Sequence, residues 1–316
     1  MCRILAYVGE EIPVASLLLE PENSLINQTL DPERHPLMQL AGWGFGAWSE
    51  HLLKPEKPFL YRRPVAAFYD NNVVNVIPSL QASTLLAHVR ADHYDTEAVL
   101  ADENCHPYLY DKTPWIMAHN GNLPNWRLLQ KELLSHCKDD YLKQLRGSTD
   151  TELIYLLFLS LLQSDSVEDV RQAFEDMLGL IMKTMKKLDL VGLSKQKIVL
   201  ATRDRLIAVN YGLGHDGQAD VSGDWRELRQ AEPDSDDFLL SMLLEPMYVL
   251  LGQNFDNYSN SYSVDVTEAD EATSAIVASE PLTDAVDDWL HLEFGQMIAI
   301  ERENKFIKTT VLDLNP

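Results

Sequence analysis

The chain is short of positive charge and of cysteine. Its 316 residues include 26 Lys and Arg against 49 Asp and Glu, which gives a formal net charge of -23. A surface of that sign repels phosphate backbones, so we expect no nucleic-acid partner. The three cysteines are too few, and odd in number, for a disulfide framework, and the first residues do not have the pattern of a secretory signal. We therefore expect a cytoplasmic protein.

Long hydrophobic runs are also missing. Residues 153–162 are too few to cross a bilayer, and residues 238–251 are interrupted by Glu245 and Pro246. No membrane span is expected. Lys and Arg are absent from 230 to 301, where acidic residues accumulate. A solvated acidic surface is the simplest interpretation, and a cation-binding or partner-docking face is the alternative.

The order of the predicted elements favours an α+β fold of stacked layers. Short β-branched or aromatic stretches bounded by turn residues come first, a helical region follows, and two hairpins turn near Asp204 and Asn304. We predict one domain over 2–316, with an acidic, loop-rich insertion at about 214–271. The predicted strands are 2–9, 42–48, 64–70, 84–91 and 114–121, and the predicted helices are 126–137, 151–163 and 167–188.

The second residue could be a nucleophile with its own base. If Met1 is removed, Cys2 carries a thiol and an α-amine on one residue. A thiolate is a strong nucleophile, and an α-amine with a pKa of about 7.7–8 is partly neutral near pH 7 and can accept the thiol proton. No catalytic histidine is then needed.

Three other stretches carry groups that amide cleavage requires. In "AHNGNL", Asn120 offers a side-chain amide to an oxyanion, and Gly121 allows a backbone N–H to approach closely. In "AHVRAD", Arg90 presents a planar fork that suits a carboxylate. In "GSTDTE", Asp150 suits an ammonium group, although a helix N-cap explains it equally well.

These motifs, in this order, resemble the class II glutamine amidotransferase domain of the N-terminal-nucleophile hydrolases. "GWGFGAW" and "ENCHPY" are most similar to its standalone members, which include a γ-glutamyl hydrolase of ergothioneine synthesis and a subunit of a glutathione-degrading complex. The resemblance implies a four-layer α/β/β/α sandwich. It also implies glutamine or a γ-glutamyl compound as the substrate, cleaved through a Cys2 thioester, and it implies no cofactor or metal.

The resemblance assigns a role to each of these residues. Cys2 is implied as the nucleophile and its amine as the base, and Asn120 with Gly121 forms the oxyanion hole. Arg90 is implied to bind the glutamyl α-carboxylate and Asp150 the α-ammonium group. Asn104 and His106 fall in a motif that shapes the substrate pocket.

Two departures from the family pattern affect the expected substrate. Asp92 stands where many members have Ser or Thr, which places an acid beside the expected carboxylate clamp. We also expect no acceptor domain like that of the large amidotransferases, because too little chain remains for a second domain of typical size. Two alternatives follow: the ammonia passes to a separate subunit, or the enzyme simply hydrolyses a γ-glutamyl amide. The chain could also form a homo-oligomer.

Three other interpretations remain open. The cysteine and histidine residues could bind zinc, although no recognised ligand spacing is present. Cys105 or Cys137 could be a papain-like nucleophile with a distant histidine. Finally, the chain could be a non-catalytic regulatory or scaffold subunit that binds a partner through its acidic surface. The histidine and cysteine positions considered for zinc are His88, His93, Cys105, His106 and His119.

Overall fold

The structure is a computed structural model that describes residues 2–30, 38–91, 99–213, 223–232, 235–256, 263–267 and 271–316. Asp92 and His93, which the sequence analysis singled out, lie outside these residues. The strands are β1 (Arg3–Pro13), β2 (Gly42–Trp48), β3 (Phe59–Arg63), β4 (Gln81–Arg90), β5 (Tyr108–Leu109), β6 (Ile116–Asn122), β7 (Ser194–Ala201), β8 (Arg205–Leu213), β9 (Met247–Asp256), β10 (Ser263–Val266), β11 (Ser274–Ala278), β12 (Leu290–Leu292), β13 (Gln296–Glu303) and β14 (Phe306–Asp313). The helices are α1 (Ala15–Leu18), α2 (Val73–Val76), α3 (Trp126–Leu134), α4 (Asp139–Leu142), α5 (Asp150–Leu161), α6 (Val167–Lys187), α7 (Trp225–Leu228) and α8 (Asp236–Leu244).

The strands form two sheets whose neighbouring pairs are antiparallel. The first sheet has the order β10-β9-β11-β1-β4-β2-β3, and β12 also pairs with β9. The second sheet has the order β14-β13-β8-β7-β6-β5. Both predicted hairpins are confirmed, since β7 pairs with β8 and β13 pairs with β14. The N-terminal strand β1 lies inside the first sheet, with β11 on one side and β4 on the other.

The two sheets pack face to face over an apolar layer of mainly small and β-branched side chains. In β1 the even-numbered residues Ile4, Ala6 and Val8 lie in this layer, while Leu5 and Tyr7 belong to the core on the opposite face. This alternation is what a period of two requires when both faces of a strand are buried. All five side chains are at most 1% exposed.

Helices cover the outer face of the second sheet, and a thinner layer covers the first. α5 is buried along nearly its whole length, and α6 buries a stripe that includes Phe174 and Ile181, as its spacing predicts. Thr149 and Ser166 cap α5 and α6 by accepting backbone N–H bonds. The outer face of the first sheet is covered by α1, α2 and irregular segments. The layers therefore follow the order helix, sheet, sheet, helix.

One predicted strand is wrong. Residues 64–70 form a 3-10 turn at Ala67–Tyr69, and the strand that pairs with β2 is β3, immediately before it. The turn is held by the Asp70 carboxylate, which accepts hydrogen bonds from Trp43 Nε1 (3.1 Å) and the Tyr61 hydroxyl (2.7 Å). Buried polar anchoring of this kind overrides a local β pattern.

The acidic segment contributes regular structure to the first sheet. α7, α8, β9 and β10 fall within 214–271, and β9 pairs with β11 along five residues from Ser274 to Ala278. The single domain with an insertion stays a prediction. Within the described residues, no helix is both long enough and apolar enough to cross a bilayer.

Gly44→Ala tests the close backbone packing around β2. A Cβ at Gly44 would lie 2.4 Å from the His106 carbonyl oxygen and 2.6 Å from that of Tyr61. Backbone oxygens cannot rotate away, so the free energy of unfolding should fall by about 1–3 kcal/mol in urea unfolding. The control is Gly179→Ala in α6, where the nearest atom is 4.0 Å away and the free energy should rise by about 0.5–1 kcal/mol. Equal effects of the two substitutions would contradict the packing argument.

Candidate active site

The thiol of Cys2 lies at the end of a fully paired strand. Cys2 directly precedes β1, and its Sγ donates to the carbonyl oxygen of Ala91 at 3.6 Å. Arg3 of β1 pairs with Val89 of the antiparallel strand β4. Continuing this register by one residue places Cys2 opposite Arg90. Arg3 Nη1 donates to the Cys2 carbonyl oxygen at 3.2 Å, and the same guanidinium pairs with the buried Glu280 carboxylate. The backbone at Cys2 is thereby fixed from both sides.

A cavity of about 480 Å³ opens beside this thiol. Three of the predicted site residues, Cys2, Asn120 and Gly121, line it together. They come from different sheets, because Cys2 belongs to the first sheet and the other two lie at the end of β6 in the second. The remaining lining residues are Ala91, Asn122, Gly192, Leu193, Lys195, Leu239, Met242 and Leu243.

Gly121 is required by its neighbour in the sheet. A Cβ at this position would lie 1.9 Å from the Lys195 carbonyl oxygen and 2.3 Å from His119 Nε2. The next residue is fixed as well, since Asn122 Nδ2 donates to the Leu193 carbonyl oxygen at 3.0 Å. The sequence predicts a glycine here so that a backbone N–H can approach the substrate closely. The structure shows a second reason, which is the tight pairing of β6 with β7.

Asp150 anchors the segment that follows β6. It is the first residue of α5, and Thr149 rather than Asp150 is the N-cap. Its carboxylate accepts the Leu123 N–H at 2.7 Å and the Thr151 N–H at 2.8 Å. Asp150 does not line the cavity in the described part of the chain, so its predicted contact with an ammonium group stays a prediction.

Arg90, at the end of β4, is close enough to the buried His88 and His106 for its charge to act on both. The His88 and His106 rings lie 4.1 Å apart, and His106 Nδ1 accepts the backbone N–H of His119 at 3.4 Å. Burial, the Arg90 charge and His119 lower the pKa of His88 to about 3. Burial likewise lowers the pKa of His106 well below its ordinary value, and that of His119. All three rings are therefore neutral at pH 7.

The tautomer of His119 follows from its partners. Nε2 lies 3.2 Å from the Lys195 carbonyl oxygen, which can only accept, so Nε2 carries the proton. Nδ1 then accepts from the Thr151 hydroxyl at 3.0 Å. His119 thus links β7 to α5 by hydrogen bonds.

The "ENCHPY" motif contacts the same region from the opposite side. Asn104 Nδ2 donates to the Val99 carbonyl oxygen (2.7 Å) and the Ser148 hydroxyl (3.1 Å), and its Oδ1 accepts the Ser148 N–H (2.8 Å). His106 packs on His88, and it is not among the described residues that line the cavity. The two residues connect the Arg90 region to the start of α5, and their role toward a substrate stays a prediction.

The sequence analysis missed a cluster of buried charges beside Cys2. Lys195 and Lys197 alternate along β7 and are 6% and 2% exposed. Glu245, also buried, lies 3.9 Å from Lys197 Nζ and 3.7 Å from Arg229 Nη1. Burial and the neighbouring Lys197 charge lower the pKa of Lys195 well below its ordinary value. The stretch "SKQKIVLA" already contained this signal. Lys195, Lys197 and Val199 are two residues apart, so in a strand they lie on the same face, and Val199 lies in the layer between the sheets.

The other two cysteines lack the environment of a nucleophile. Burial raises the pKa of the Cys105 thiol to about 11 and that of Cys137 to about 12. Their thiols donate to backbone carbonyl oxygens, Cys105 to Arg63 at 3.3 Å and Cys137 to Leu133 at 3.5 Å. Thiols whose pKa is raised in this way stay protonated near pH 7 and are poor nucleophiles. Among the described residues, no group of three or more His, Cys, Asp or Glu side chains could hold a metal ion.

Comparison with known proteins decides the family. The sequence profile of the class-II glutamine amidotransferases matches residues 32–211. The chain belongs to this family. It is 33% identical over 181 residues to the probable glutamine amidotransferase DUG3 of Saccharomyces cerevisiae, covering 54% of this chain and 48% of that protein. It is 32% identical over 123 residues to the gamma-glutamyl-hercynylcysteine sulfoxide hydrolase of Mycobacterium tuberculosis, covering 38% and 49%.

Solved structures agree on the fold. A glutamine aminotransferase class-II domain protein from Silicibacter pomeroyi aligns over 99% of this chain and 100% of its own, with a TM-score of 0.58 and 17% identity. The glutamine phosphoribosylpyrophosphate amidotransferase of Bacillus subtilis aligns over 99% of this chain and 50% of its own, with a TM-score of 0.55 and 16% identity. The predicted α+β sandwich is confirmed. The matched regions span about half the length of the curated relatives.

The buried histidines should make this amidotransferase-family protein acid-sensitive. His88 has a pKa of about 3 in the folded protein and about 6.5 in the unfolded chain, so the unfolded chain binds more protons between these values. The free energy of unfolding should therefore fall as the pH drops below about 6.5, by up to about 1.4 kcal/mol per pH unit for each such histidine.

Denaturant unfolding between about pH 7.5 and pH 5.5 measures this slope. His88→Gln should reduce the slope by about one proton, and His136→Gln, at an exposed position, is the matched control. Parallel stability curves for the wild type and His88→Gln would refute the argument.

Proposed function

We propose that the chain is an amidohydrolase that cleaves the side-chain amide of glutamine or a γ-glutamyl compound through a thioester on Cys2. The observation that carries the proposal is the convergence of Cys2, Asn120 and Gly121 on one cavity. The family adds support, and so do the names of the relatives, which are a glutamine amidotransferase and a γ-glutamyl hydrolase.

The first step forms the thioester. After removal of Met1, the α-amine of Cys2 takes the thiol proton, and the thiolate attacks the amide carbon. The bond from carbon to nitrogen breaks, the proton moves from the α-amine to the departing nitrogen, and ammonia or an amine leaves. In the second step water attacks the thioester, which releases glutamate and restores the thiol. The α-amine serves as the base in both steps.

The two residues of β6 would stabilise the oxyanion. Both steps place negative charge on the former carbonyl oxygen, and fixed donors lower its energy without reorganising. Asn120 offers a side-chain N–H, and Gly121 offers a backbone N–H whose position is set by the pairing of β6 with β7. Since the Lys195 carbonyl leaves no room for a Cβ at Gly121, any side chain there would displace this donor.

We assign the glutamyl half of the substrate to the end of β4 and the start of α5. Arg90 would bind the α-carboxylate and Asp150 the α-ammonium group, with His106 shaping the pocket behind them. Arg90 lies opposite Cys2 by strand register, and opposite charges at the two ends of an amino acid give specificity as well as affinity. We further propose one cytoplasmic domain with no resident cofactor, and a separate ammonia-accepting subunit or a homo-oligomer as possible assemblies.

Cys2→Ala should abolish hydrolysis of glutamine and of γ-glutamyl compounds, because no thioester can form. A diazo-ketone glutamine analogue should add one adduct to the wild-type protein, at Cys2, in intact-mass and peptide mass spectrometry. Cys105→Ala and Cys137→Ala are the controls and should keep both the adduct and turnover, since the raised pKa of each thiol keeps it protonated. Full activity of Cys2→Ala would exclude the mechanism and favour a non-catalytic scaffold.

Arg90→Gln should act mainly on substrate binding. Removing a charge-assisted hydrogen bond to a carboxylate costs about 1.5–3 kcal/mol, which raises KM by roughly 10- to 100-fold. Steady-state kinetics with glutamine give kcat and KM separately, and thermal unfolding checks the fold. Arg127→Gln, on the exposed face of α3, is the matched control. An unchanged KM for Arg90→Gln would reject the clamp role.

A further inference from the structure

The Cys2 cavity has two chemically different walls beyond the residues proposed for catalysis. Lys195 contributes a buried amine on one side. Three apolar residues of α8, Leu239, Met242 and Leu243, form the other side. Neither Arg90 nor Asp150 is among the described lining residues, so this space is separate from the groups assigned to the glutamyl half.

The Lys195 wall lies close to other basic side chains and to one buried carboxylate. Glu245 is the carboxylate whose charge acts most directly on Lys195, and it is shared with Lys197 and Arg229. Arg3 is also close enough to affect Lys195, and its own partner is Glu280. A basic side chain on a cavity wall favours an anionic group on the ligand.

The α8 wall is held rigidly against the second sheet. A Cβ at Gly212 of β8 would lie 2.0 Å from Leu243 Cδ1 and 2.6 Å from the Ser194 carbonyl oxygen, so the helix packs directly on the strand backbone. Leu239 and Met242, on the same helix, are only partly buried and border the cavity. Partly exposed aliphatic side chains on a fixed wall gain free energy when an apolar ligand group covers them.

From this geometry we propose that the cavity binds the amine half of a γ-glutamyl amino acid, with Lys195 binding its carboxylate and α8 packing on its apolar side chain. The inference rests on the proposed function, because it names the substrate class of that same site. An amino acid with an apolar side chain carries both groups on the carbon next to the scissile nitrogen. Both therefore reach the cavity when the amide carbon is at Cys2.

The physical chemistry of Lys195 agrees with this role. Burial and the neighbouring Lys197 charge hold its pKa well below the ordinary value. A carboxylate at hydrogen-bond distance favours the charged form of a lysine, so binding of an anionic ligand raises the pKa of Lys195.

Four substrates separate the two walls and the proposed function itself. Glutamine offers neither group, γ-glutamylglycine offers only the carboxylate, γ-glutamyl-leucinamide offers only the side chain, and γ-glutamyl-leucine offers both. We expect the wild type to prefer γ-glutamyl-leucine by roughly 10- to 100-fold in kcat/KM over each compound that lacks one group. Comparing the same substrate pairs in each variant cancels their intrinsic leaving-group differences.

Substitutions on the two walls should affect different comparisons. Lys195→Met should remove the preference for leucine over leucinamide, and Lys195→Arg should restore part of it. Met242→Gln and Leu239→Gln should instead remove the preference for leucine over glycine. Leu240→Gln, on the same helix but outside the cavity lining, is the matched control. Thermal unfolding verifies that each variant is folded.

The outcomes separate failure of the inference from failure of the proposed function. If the wild type cleaves glutamine but shows no preference for γ-glutamyl-leucine, the amine site is refuted and the proposed activity stands. If a preference exists but Lys195→Met and Met242→Gln leave it unchanged, these walls do not determine it, and the inference is overturned. If Met1 is absent and none of the four compounds is cleaved, the proposed function fails.

Discussion

The antiparallel pairing of β1 with both of its neighbours is the constraint on which the site depends. Leu5 pairs with Ala87 of β4 on one side and with Ala278 of β11 on the other. A slip of one residue would move Ile4, Ala6 and Val8 out of the layer between the sheets and replace them with the side chains of the opposite face. Since the register cannot slip without this cost, the thiol of Cys2 has a fixed position at the end of the strand.

The second half of the site depends on how closely the sheets and strands pack. Asn120 and Gly121 share a cavity with the thiol because β6 lies across from β1. A Cβ at Gly46 of β2 would lie 2.5 Å from Ile116 of β6, so this glycine gives the second sheet room to approach β2. At Gly121 the pairing with β7 leaves no space for a side chain. The predicted oxyanion donors are therefore rigid parts of a sheet, which is the condition for preorganised stabilisation of charge.

Local features of the chain were predictable, and long-range pairings were not. The stripe of α6, the hairpins at Asp204 and Asn304, and the order of the motifs from Cys2 to Asp150 all follow from periodicity, turn residues and side-chain chemistry. The strand predicted at 64–70 fails because Asp70 is held by Trp43 and Tyr61, partners that its own sequence window does not contain. The contact of Asp150 with the Leu123 N–H is hidden for the same reason.

The acidic segment shows why composition alone could not describe the site. Counting charges between 230 and 301 predicts a solvated surface, yet Glu245 and Glu280 are 5% and 2% exposed and act as counter-ions of Lys197, Arg229 and Arg3. A buried lysine without a carboxylate costs several kcal/mol, so the charges of this segment and of β7 depend on each other. The same segment supplies α8, which closes the cavity beside Cys2. One segment therefore supplies both the carboxylate beside the β7 lysines and an apolar wall of the cavity, so its acidic residues cannot be treated as a solvated surface separate from the site.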